Sequence, residues 1–346
     1  MLYFANDYCR TAHPEVMRRL LETSGDRLAG YGEDAVCASA ARKIREAAKA
    51  SEADVYFISG GTQTNQLCID SLLQSYEGAV CASTGHINVH EAGAIEYTSH
   101  GIIALPGENG LLDPYTLDEY MLGFEADESR DHMIQPRLVY LSHPTEYGTL
   151  YTLPSLERMR EVCDRHGLLL YIDGARLGYA LACPSNDVTL PDLSRLCDAY
   201  YIGGTKCGAM TGEALVFPKG APRHFITLQK QHGAMLAKGW INGAQFDALF
   251  TDGLYVRICE NAIKLADRLR DALKERGFDF FVENPTNQVF VLLTAAEAEK
   301  LSEKIVFARW SEPAPGMVAV RFCTSWATED DEIDGLISAL DEIRRK

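Results

Sequence analysis

The sequence lacks the features that mark several large classes of protein. Its longest apolar runs have the length of a strand, so none of them can cross a bilayer as a helix. Positive charge is scarce: 33 Lys and Arg stand against 49 Asp and Glu, and the net charge of −16 argues against nucleic acid or an anionic membrane as a partner. The ten cysteines form no Cys-x-x-Cys pair and no metal-type spacing. We therefore expect no metal site and no membrane or nucleic-acid partner.

The beginning of the chain also lacks the marks of export. Residues 1–7 have neither the basic start nor the long apolar core of a signal peptide. Cys68, Cys81 and Cys197 lie inside apolar runs, where buried free thiols are the usual state. Both observations favour a cytoplasmic location. With 346 residues and no internal repeats, the chain is long enough to bury a substantial core in two domains.

Short apolar runs alternate with amphipathic stretches over most of the first two thirds of the chain. The runs cover residues 55–58, 79–82, 102–105, 138–141, 168–172, 199–202 and 214–217. Helix-like segments lie between them, such as 153–166 with its apolar residues on one face. This alternation predicts an α/β fold with a mostly parallel, seven-stranded sheet covered by helices on both faces.

The rest of the chain predicts a small α+β domain. A long stretch without proline over 242–276 indicates a helix, followed by strands at 288–293 and 317–322 and helices at 295–304 and 329–345. We predict an N-terminal arm over 1–15 that lies against another part of the fold. A large domain over 16–245 and a small C-terminal domain with its connecting helix over 246–346 complete the prediction.

Two of the predicted strands end on a lone charge. Asp173 follows the run at 168–172, and Lys206 follows the run at 199–202 within Gly-Gly-Thr-Lys. Ligands of a parallel sheet bind beyond the carboxyl ends of its strands, and a charge in such a place needs a partner. A lysine that reacts with a carbonyl cofactor, beside an aspartate that binds its ring nitrogen, is the minimal equipment of a pyridoxal-phosphate enzyme. A helix cap for Asp173 and a loop position for Lys206 are the alternatives.

A pair of glycines after another predicted strand indicates an anion site. Ser-Gly-Gly-Thr-Gln-Thr-Asn-Gln at 59–66 opens a helix, and the first N–H groups of a helix attract phosphate. The glycines are adjacent, so the segment is neither the G-x-G-x-x-G dinucleotide fingerprint nor a P-loop. This argues against a nicotinamide enzyme. A tight turn capped by threonine explains the segment equally well.

Four further features have both a binding and a structural interpretation. His86, just after a strand, suits stacking on a cofactor ring or a structural place, and Glu91 either hydrogen-bonds it or faces water. Arg176 suits contact with the phenolic oxygen of the cofactor, or it is a surface residue. Arg321, alone inside an apolar strand, suits a substrate carboxylate or a structural ion pair. The basic interval 230–238 suits phosphate contacts across a subunit interface or a solvated helix face.

In this order the motifs resemble those of the pyridoxal-phosphate threonine aldolases. The matching segments are Ser-Gly-Gly-Thr-Gln-Thr-Asn-Gln, Gly-His-Ile, Asp-Gly-Ala-Arg-Leu-Gly, Gly-Gly-Thr-Lys and Val-Arg-Phe-Cys-Thr-Ser-Trp, and the likeness covers essentially the whole chain. Those enzymes belong to the β-eliminating lyase group. The resemblance implies the aspartate-aminotransferase-type fold, which is the PLP-transferase type I fold. It also implies pyridoxal 5'-phosphate as cofactor and a homotetramer made of two dimers.

The resemblance further implies a role for each matching residue. Lys206 forms the Schiff base with the cofactor, Asp173 binds the ring nitrogen, and His86 stacks on the ring. The other residues implied in cofactor binding are Gly61, Thr62 and Gln63 at the phosphate, Arg176 at the ring oxygen, and Lys238 from a neighbouring subunit. Those implied in substrate binding are Arg321 at the carboxylate, Asp7, Glu146, and Tyr31 from the neighbouring subunit.

Three segments depart from the usual pattern of that family. His-Pro-Thr-Glu at 143–146 replaces Asn-Thr-His, Asn-Asp-Tyr at 6–8 replaces Ser-Asp-Thr, and no arginine precedes Gly239. Glu146 thus stands where the family has its second active-site histidine, and His143 is close to it in sequence.

The predicted function is that of an aldolase acting on amino acids. The enzyme cleaves L-threonine, L-allo-threonine or a related β-hydroxy-α-amino acid to glycine and an aldehyde. The base that acts on the β-hydroxyl group is His86, Glu146 or a bound water. A β-eliminating lyase acting on a substituted alanine is the first alternative. A non-catalytic binding protein that keeps the fold is the second.

Overall fold

The computed structural model describes residues 1–344, so residues 345 and 346, which end the predicted last helix and small domain, lie outside the described part.

The chain opens with a strand whose partner is distant in sequence. This strand, β1 (Leu2–Tyr3), pairs in parallel with residues 305–306. Phe4 follows it and is buried among apolar side chains of the C-terminal part. The first residues therefore pack against the end of the chain.

A seven-stranded sheet forms the centre of the larger part of the fold. Its strands in chain order are β2 (Asp54–Ile58), β3 (Glu77–Ala82), β4 (Gly101–Leu105), β5 (Gln135–Ser142), β6 (Leu169–Asp173), β7 (Ala199–Gly203) and β8 (Glu213–Phe217). Their spatial order is β2-β8-β7-β6-β5-β3-β4. Each predicted run forms one of these strands, and every adjacent pair is parallel except the two that include β8. The prediction of a mostly parallel, seven-stranded sheet is confirmed.

The direction of β8 determines which of its ends lies at the edge of the sheet where ligands bind. Because β8 runs opposite to its two neighbours, its first residue, Glu213, pairs with the last residues of β2 and β7, Ile58 and Gly203. On the next strands, Asp173 pairs with Ser142, so the last residues of β5 and β6 lie side by side. This edge therefore combines the carboxyl ends of parallel strands with the amino end of β8.

Helices cover both faces of this sheet. All helices of residues 1–344, including α13 and α14 of the C-terminal part, are α1 (Pro14–Thr23), α2 (Ala35–Ala48), α3 (Gly61–Leu72), α4 (His86–Val89), α5 (Ala94–Tyr97), α6 (Pro114–Ala126), α7 (Leu153–His166), α8 (Leu177–Ala182), α9 (Leu190–Leu196), α10 (Phe225–Gln231), α11 (Trp240–Leu249), α12 (Leu254–Glu275), α13 (Ala295–Ser302) and α14 (Asp330–Arg344), with a 3₁₀ turn at Arg130–His132. Along β5, Val139 and Leu141 face one core while Leu138 and Tyr140 face the other, as strand alternation requires. None of these helices is both long and apolar enough to cross a membrane.

Local capping explains why the predicted helix at 153–166 has the observed bounds. The Thr152 side chain accepts a hydrogen bond from the N–H of Ser155 at the start of α7. At the other end, Gly167 adopts a φ of 67°, a left-handed conformation in which glycine carries no steric penalty. Both signals are local in sequence, so the helix was predictable without knowledge of the fold.

A smaller antiparallel sheet forms the C-terminal part. Its strands are β9 (Phe280–Val282), β10 (Gln288–Thr294), β12 (Ala308–Ala314) and β13 (Met317–Cys323), in the order β12-β13-β10-β9, while β11 (Ile305–Val306) pairs with β1. The helices α13 and α14 pack against each other beside this sheet. The predicted small α+β unit is confirmed, with its strands at 288–293 and 317–322 extended by one residue each.

The predicted continuous helix over 242–276 is wrong. The structure has two helices, α11 and α12, and residues 250–253 separate them. Asp252 and Gly253 adopt φ values of 51° and 67°, which no continuing right-handed helix allows. The helix α11 packs against α1 and α2, whereas α12 passes from the core of the large sheet into that of the small one. The predicted domain boundary at 245/246 stays a prediction.

Candidate active site

A cavity of about 280 Å³ opens at the edge of the large sheet where the strand ends meet. Its volume is close to the lower end of the usual range for small-molecule pockets, which begins at about 300 Å³. The predicted site residues that line it are Gly61, Thr62, His86, Glu146, Asp173, Arg176 and Lys206. These residues come from segments far apart in the sequence. The fold therefore brings all three predicted catalytic residues into one cavity.

Asp173 is held in this cavity by three hydrogen-bond donors. It is 4% exposed; its Oδ2 accepts from the Tyr140 hydroxyl at 2.6 Å and the Asn65 amide at 2.9 Å. Its Oδ1 accepts from the N–H of Ala175 at 2.9 Å. Burial by itself raises the pKa of Asp173, but the charge of His86 and side-chain hydrogen bonds, among them those from Tyr140 and Asn65, outweigh burial and leave the pKa below its ordinary value. Because α8 begins four residues later, Asp173 is a charged site residue and not its cap.

Lys206 lies in the turn after β7 and is partly buried. The hydroxyl of Tyr179 donates to the backbone carbonyl of Lys206 at 2.7 Å and so fixes the turn. Burial is the largest influence and lowers the pKa of the Lys206 ammonium, and the charge of Arg176 lowers it further, whereas three nearby carboxylates act in the opposite direction. The balance leaves a larger neutral fraction than in an ordinary lysine, which suits an amine that attacks a carbonyl.

Glu213 is a member of the site that was not predicted. It is 4% exposed and lines the cavity, and its Oε2 accepts from the N–H of Gly204 at 2.8 Å. Burial raises the pKa of Glu213 to about 7. A usable signal existed, because Glu213 is a lone charge beside the apolar run at 214–217. It precedes that run, however, and only the antiparallel direction of β8 places it at the binding edge.

His86 is oriented by a buried carboxylate. Its Nδ1 lies 2.8 Å from Oε1 of Glu91, and the same oxygen accepts from the Asn65 amide at 2.7 Å. Glu91 is 5% exposed, so of its two interpretations the hydrogen bond to His86 is the one observed. The Asn65 amide also donates to Asp173. A chain of hydrogen bonds therefore runs from His86 through Glu91 and Asn65 to Asp173.

Glu146, and not His143, faces the cavity. Oε1 of Glu146 accepts from the Ser142 hydroxyl at 2.6 Å and from the backbone N–H of His86 at 2.9 Å. Burial raises the pKa of this carboxyl. His143 is instead fully buried, with its Nε2 3.2 Å from Oδ1 of Asn186, and burial lowers its pKa to about 4. Of these two neighbouring residues, Glu146 therefore lines the cavity and His143 does not.

The start of α3 forms an open, anion-attracting wall of the cavity. Gly61 is its first residue, and the first N–H groups of a helix have no partner within it. A side chain at Gly61 would place its Cβ 3.1 Å from the Tyr201 hydroxyl, so glycine keeps this opening free. The side-chain amide of Gln63 donates to the carbonyl of His232 at 3.3 Å, and the predicted contact of Gln63 with a phosphate stays a prediction. Its backbone N–H remains the group available to a phosphate.

The side chains present fit pyridoxal phosphate. The N–H groups at the start of α3 suit the phosphate, and Lys206 suits the carbonyl. The charged Asp173 suits a protonated ring nitrogen, while His86 and Arg176 suit the ring face and the phenolic oxygen. Each part of that molecule thus has a group of matching charge or hydrogen-bonding type in the cavity.

Arg176 forms a buried ion pair with the N-terminal arm. Its Nε lies 2.7 Å from Oδ2 of Asp7, and its Nη2 lies 3.0 Å from Oδ1. Asp7 is 1% exposed and also accepts from the Asn287 amide at 2.9 Å. Tyr8, the next residue, lines the cavity. The contact predicted between Asp7 and the substrate stays a prediction.

Arg321 lies outside the cavity formed by residues 1–344. On β13 it donates to Oε1 of Gln288 at 3.0 Å and to the carbonyl of Ala5 at 3.1 Å. Its guanidinium carbon lies 5.0 Å from the ring centroid of Trp310, a cation–π contact. The predicted contact of Arg321 with a substrate carboxylate stays a prediction.

Tyr31 and Lys238 lie together on another surface of the chain. Tyr31 is 51% exposed, and its N–H donates to the carbonyl of Ala237 at 3.2 Å, next to the exposed Lys238. The Nζ of Lys230 lies 4.8 Å from the ring centroid of Tyr31. A single chain does not bring these residues into the cavity formed by residues 1–344. Their predicted roles require a second subunit.

Comparison with known proteins gives consistent matches over nearly the whole chain. The β-eliminating lyase family matches residues 6–296. A low-specificity L-threonine aldolase from Pseudomonas sp. strain NCIMB 10558 is 29% identical over 338 residues, which cover 95% of this chain and 94% of the relative. The solved structure of a threonine aldolase from Leishmania major matches with a TM-score of 0.95 at 38% identity, covering 99% of each chain. A double mutant of aspartate aminotransferase from Thermus thermophilus matches with a TM-score of 0.71 at 14% identity over 99% of this chain and 91% of that one, a likeness of fold alone.

Proposed function

We propose a function from one premise: this chain belongs to the β-eliminating lyase family. It is a pyridoxal-phosphate-dependent aldolase that cleaves L-threonine, L-allo-threonine or a related β-hydroxy-α-amino acid to glycine and an aldehyde. The observation that carries the proposal is the common cavity of Lys206 and Asp173, in a chain 38% identical to a threonine aldolase. The fold is the PLP-transferase type I fold expected from the sequence.

The positions of the residues support a role for each of them. When bound, pyridoxal phosphate supplies a protonated ring that accepts the electron pair of the substrate's Cα–Cβ bond. Lys206 offers a neutral amine at Nζ, because burial lowers its pKa. The charged carboxylate of Asp173 would hold the proton on the ring nitrogen. His86, oriented by Glu91, would cover one face of the ring.

We assign removal of the β-hydroxyl proton to Glu146, one of the three candidates. Its carboxylate lines the same cavity as Lys206, and two hydrogen bonds fix Oε1. Burial raises its pKa, which makes it a stronger base than an ordinary glutamate. His86 has its Nδ1 engaged with Glu91 and its ring assigned to the cofactor. Of the three candidates, Glu146 is therefore the one whose position in the cavity and raised pKa support this role.

Replacement of Glu146 by glutamine is expected to lower kcat for aldehyde release by about 10²-fold, since an amide cannot accept the proton. In the wild type, kcat falls as pH decreases and Glu146 becomes protonated. Because its pKa is raised, this fall begins above the range of an ordinary glutamate, and the variant lacks it. The pH profile of kcat measures both effects.

Ser142→Ala, which removes one donor to Oε1 of Glu146, should lower kcat by less than Glu146→Gln. A variant that keeps the wild-type kcat and pH profile would show that another group is the base.

We also propose a homotetramer of two dimers in a reducing, cytoplasmic compartment. The exposed Tyr31 and Lys238 lie on one surface, as residues lent to a neighbouring active site would. All ten cysteines are free, which agrees with a reducing environment. Sedimentation of the cofactor-loaded enzyme tests the assembly.

The function is tested by product analysis with purified enzyme and added pyridoxal phosphate. The substrates are L-threonine, L-allo-threonine and phenylserine, with their D-forms, and the products measured are glycine and the aldehyde. We expect both products in equal amounts from at least one L-substrate. Pyruvate and ammonia from a substituted alanine, without glycine from any substrate, would identify a β-eliminating lyase instead. Cofactor binding without any product would favour a non-catalytic protein.

A further inference from the structure

The N-terminal arm contacts both arginines assigned to the active site. The carbonyl of Ala5 accepts a hydrogen bond from Nη2 of Arg321 at 3.1 Å. The carboxylate of Asp7 accepts two hydrogen bonds from Arg176, at 2.7 and 3.0 Å. Tyr8 lines the cavity although its side chain is 54% exposed. The arm is thus part of the wall of the site.

The ion pair between Asp7 and Arg176 is bidentate and buried. The side chain of Arg176 is 12% exposed and that of Asp7 is fully buried. Two guanidinium nitrogens bind two different carboxylate oxygens, a geometry that fixes the plane of the guanidinium group. The Asn287 amide donates to the same carboxylate at 2.9 Å and to the carbonyl of Thr324 at 2.9 Å. Rotation of the carboxylate would therefore break three hydrogen bonds, one of which anchors it to the C-terminal part.

We propose that Asp7 is a positioning residue of the cofactor site: its carboxylate fixes the guanidinium of Arg176 in the cavity wall and neutralises it beside Lys206. The inference rests on the proposed function, because it takes pyridoxal phosphate as the molecule bound there. Without Asp7, a buried guanidinium would be left unpaired and free to change its conformation next to the amine.

The charges near Lys206 support this role. Beyond the effect of burial, Arg176 lowers the pKa of Lys206, and Asp7 is among the carboxylates that raise it. Burial also raises the pKa of Asp7, but the charge and hydrogen bonds of Arg176, with the charge of Lys206, outweigh burial and keep Asp7 ionised. The other carboxylates that act on Lys206 are Asp173 and Glu213. The negative charge of Asp7 thus offsets the positive charge of Arg176, and the guanidinium stays in the cavity wall.

The proposal is tested with Asp7→Asn, which keeps the shape of the side chain and removes its charge. The measurement is the dissociation constant of pyridoxal phosphate, from absorbance titration of the apoenzyme, so no amino-acid substrate is needed. We expect this constant to rise by about tenfold or more in the variant, because the guanidinium loses its partner. In an Arg176→Gln background, adding Asp7→Asn should change the constant by less than about threefold, because no guanidinium remains to position.

A matched control separates this effect from the general loss of an ion pair. Asp198 accepts hydrogen bonds from Arg160 at 2.8 Å and from the N–H of Leu170 at 2.9 Å, at the opposite end of β7 from Lys206. Asp198→Asn should lower the melting temperature and leave the dissociation constant of the cofactor unchanged. Equal affinity in the wild type and Asp7→Asn, or the same loss with and without Arg176, would overturn the proposal.

Three outcomes determine how the result is interpreted. If Asp7→Asn does not fold, Asn287→Ser replaces it, since that variant removes one donor to Asp7 and keeps both charges. We then expect a rise of about threefold in the dissociation constant, and an unchanged constant would overturn the proposal. If the wild-type apoenzyme binds no pyridoxal phosphate, the proposed function fails and this inference fails with it. If the wild type and Asp7→Asn bind the cofactor equally well, only this inference fails.

Discussion

Replacement of Lys206 by alanine is expected to abolish aldol cleavage, with kcat falling by about 10³-fold or more. Lys206 lines the same cavity as the charged Asp173, and burial lowers its pKa toward the range in which a neutral amine is available. Glycine release from L-threonine at saturating cofactor measures the loss. The visible absorption of the lysine-bound cofactor should disappear as well. After borohydride reduction, the wild type should carry the cofactor's mass on the peptide that contains Lys206, and the variant should not.

Lys43→Ala is the matched control for this experiment. Lys43 is a partly buried lysine that binds Asp247 at 2.6 Å, between α2 and α11. Its replacement should affect stability without removing the absorption band or the labelled peptide. A Lys206→Ala enzyme that keeps the band, or the label on the same peptide, would refute the assignment of the cofactor-binding lysine.

Replacement of Asp173 by asparagine is expected to lower kcat by about 10²–10³-fold, while the cofactor still becomes attached to Lys206. A neutral amide cannot hold a proton on the ring nitrogen, so the ring loses its ability to accept electrons. The amide nitrogen would also meet the donors of Tyr140 and Asn65, which now bind Oδ2. The measurements are kcat for glycine release and the mass label on the Lys206 peptide, which should remain. The retained label distinguishes this variant from Lys206→Ala.

Tyr140→Phe provides a graded control for Asp173. It removes one hydrogen bond to the carboxylate and leaves the charge, so we expect a loss of about tenfold in kcat. Because the pKa of Asp173 lies below its ordinary value, its carboxylate stays charged throughout the neutral range. The acid-side decrease in wild-type kcat is therefore expected from Glu146 and not from Asp173. An Asp173→Asn enzyme whose kcat is within about threefold of the wild type would contradict the assigned role.

The fold was predictable to the extent that its elements are specified locally. The seven apolar runs became the seven strands because burial on both faces of a parallel sheet requires continuous apolar sequence. The helix at 153–166 was predictable because its caps lie within its own sequence. The continuous helix at 242–276 was wrong, since the absence of proline does not prevent a turn at Asp252 and Gly253. That break is stabilised by the packing of α11 on α1 and α2, which no local pattern reveals.

The site was predictable for residues that follow a parallel strand. Asp173 and Lys206 carry the signal of a lone charge after an apolar run, and both line the cavity. Glu213 carries a similar signal at the wrong end of its run, and the direction of β8 decides its position. Glu146 and His143 lie in the same short segment after β5, and side-chain packing decides that Glu146 faces the cavity. In each pair, chain direction and side-chain packing made the choice that composition left open.

By itself the sequence determined the strands, the lysine and aspartate at their ends, and the order of motifs that indicates the chemistry. These features depend on the local pattern of apolar and charged residues, which is present in the chain before it folds. Only the tertiary structure decided that Glu213 joins the site and that Asp7 pairs with Arg176 across 169 residues of sequence. The physical reason is that such contacts join segments far apart in the sequence. They form only when the direction of each strand is set and the chain has closed around a common core, and no local pattern records either event.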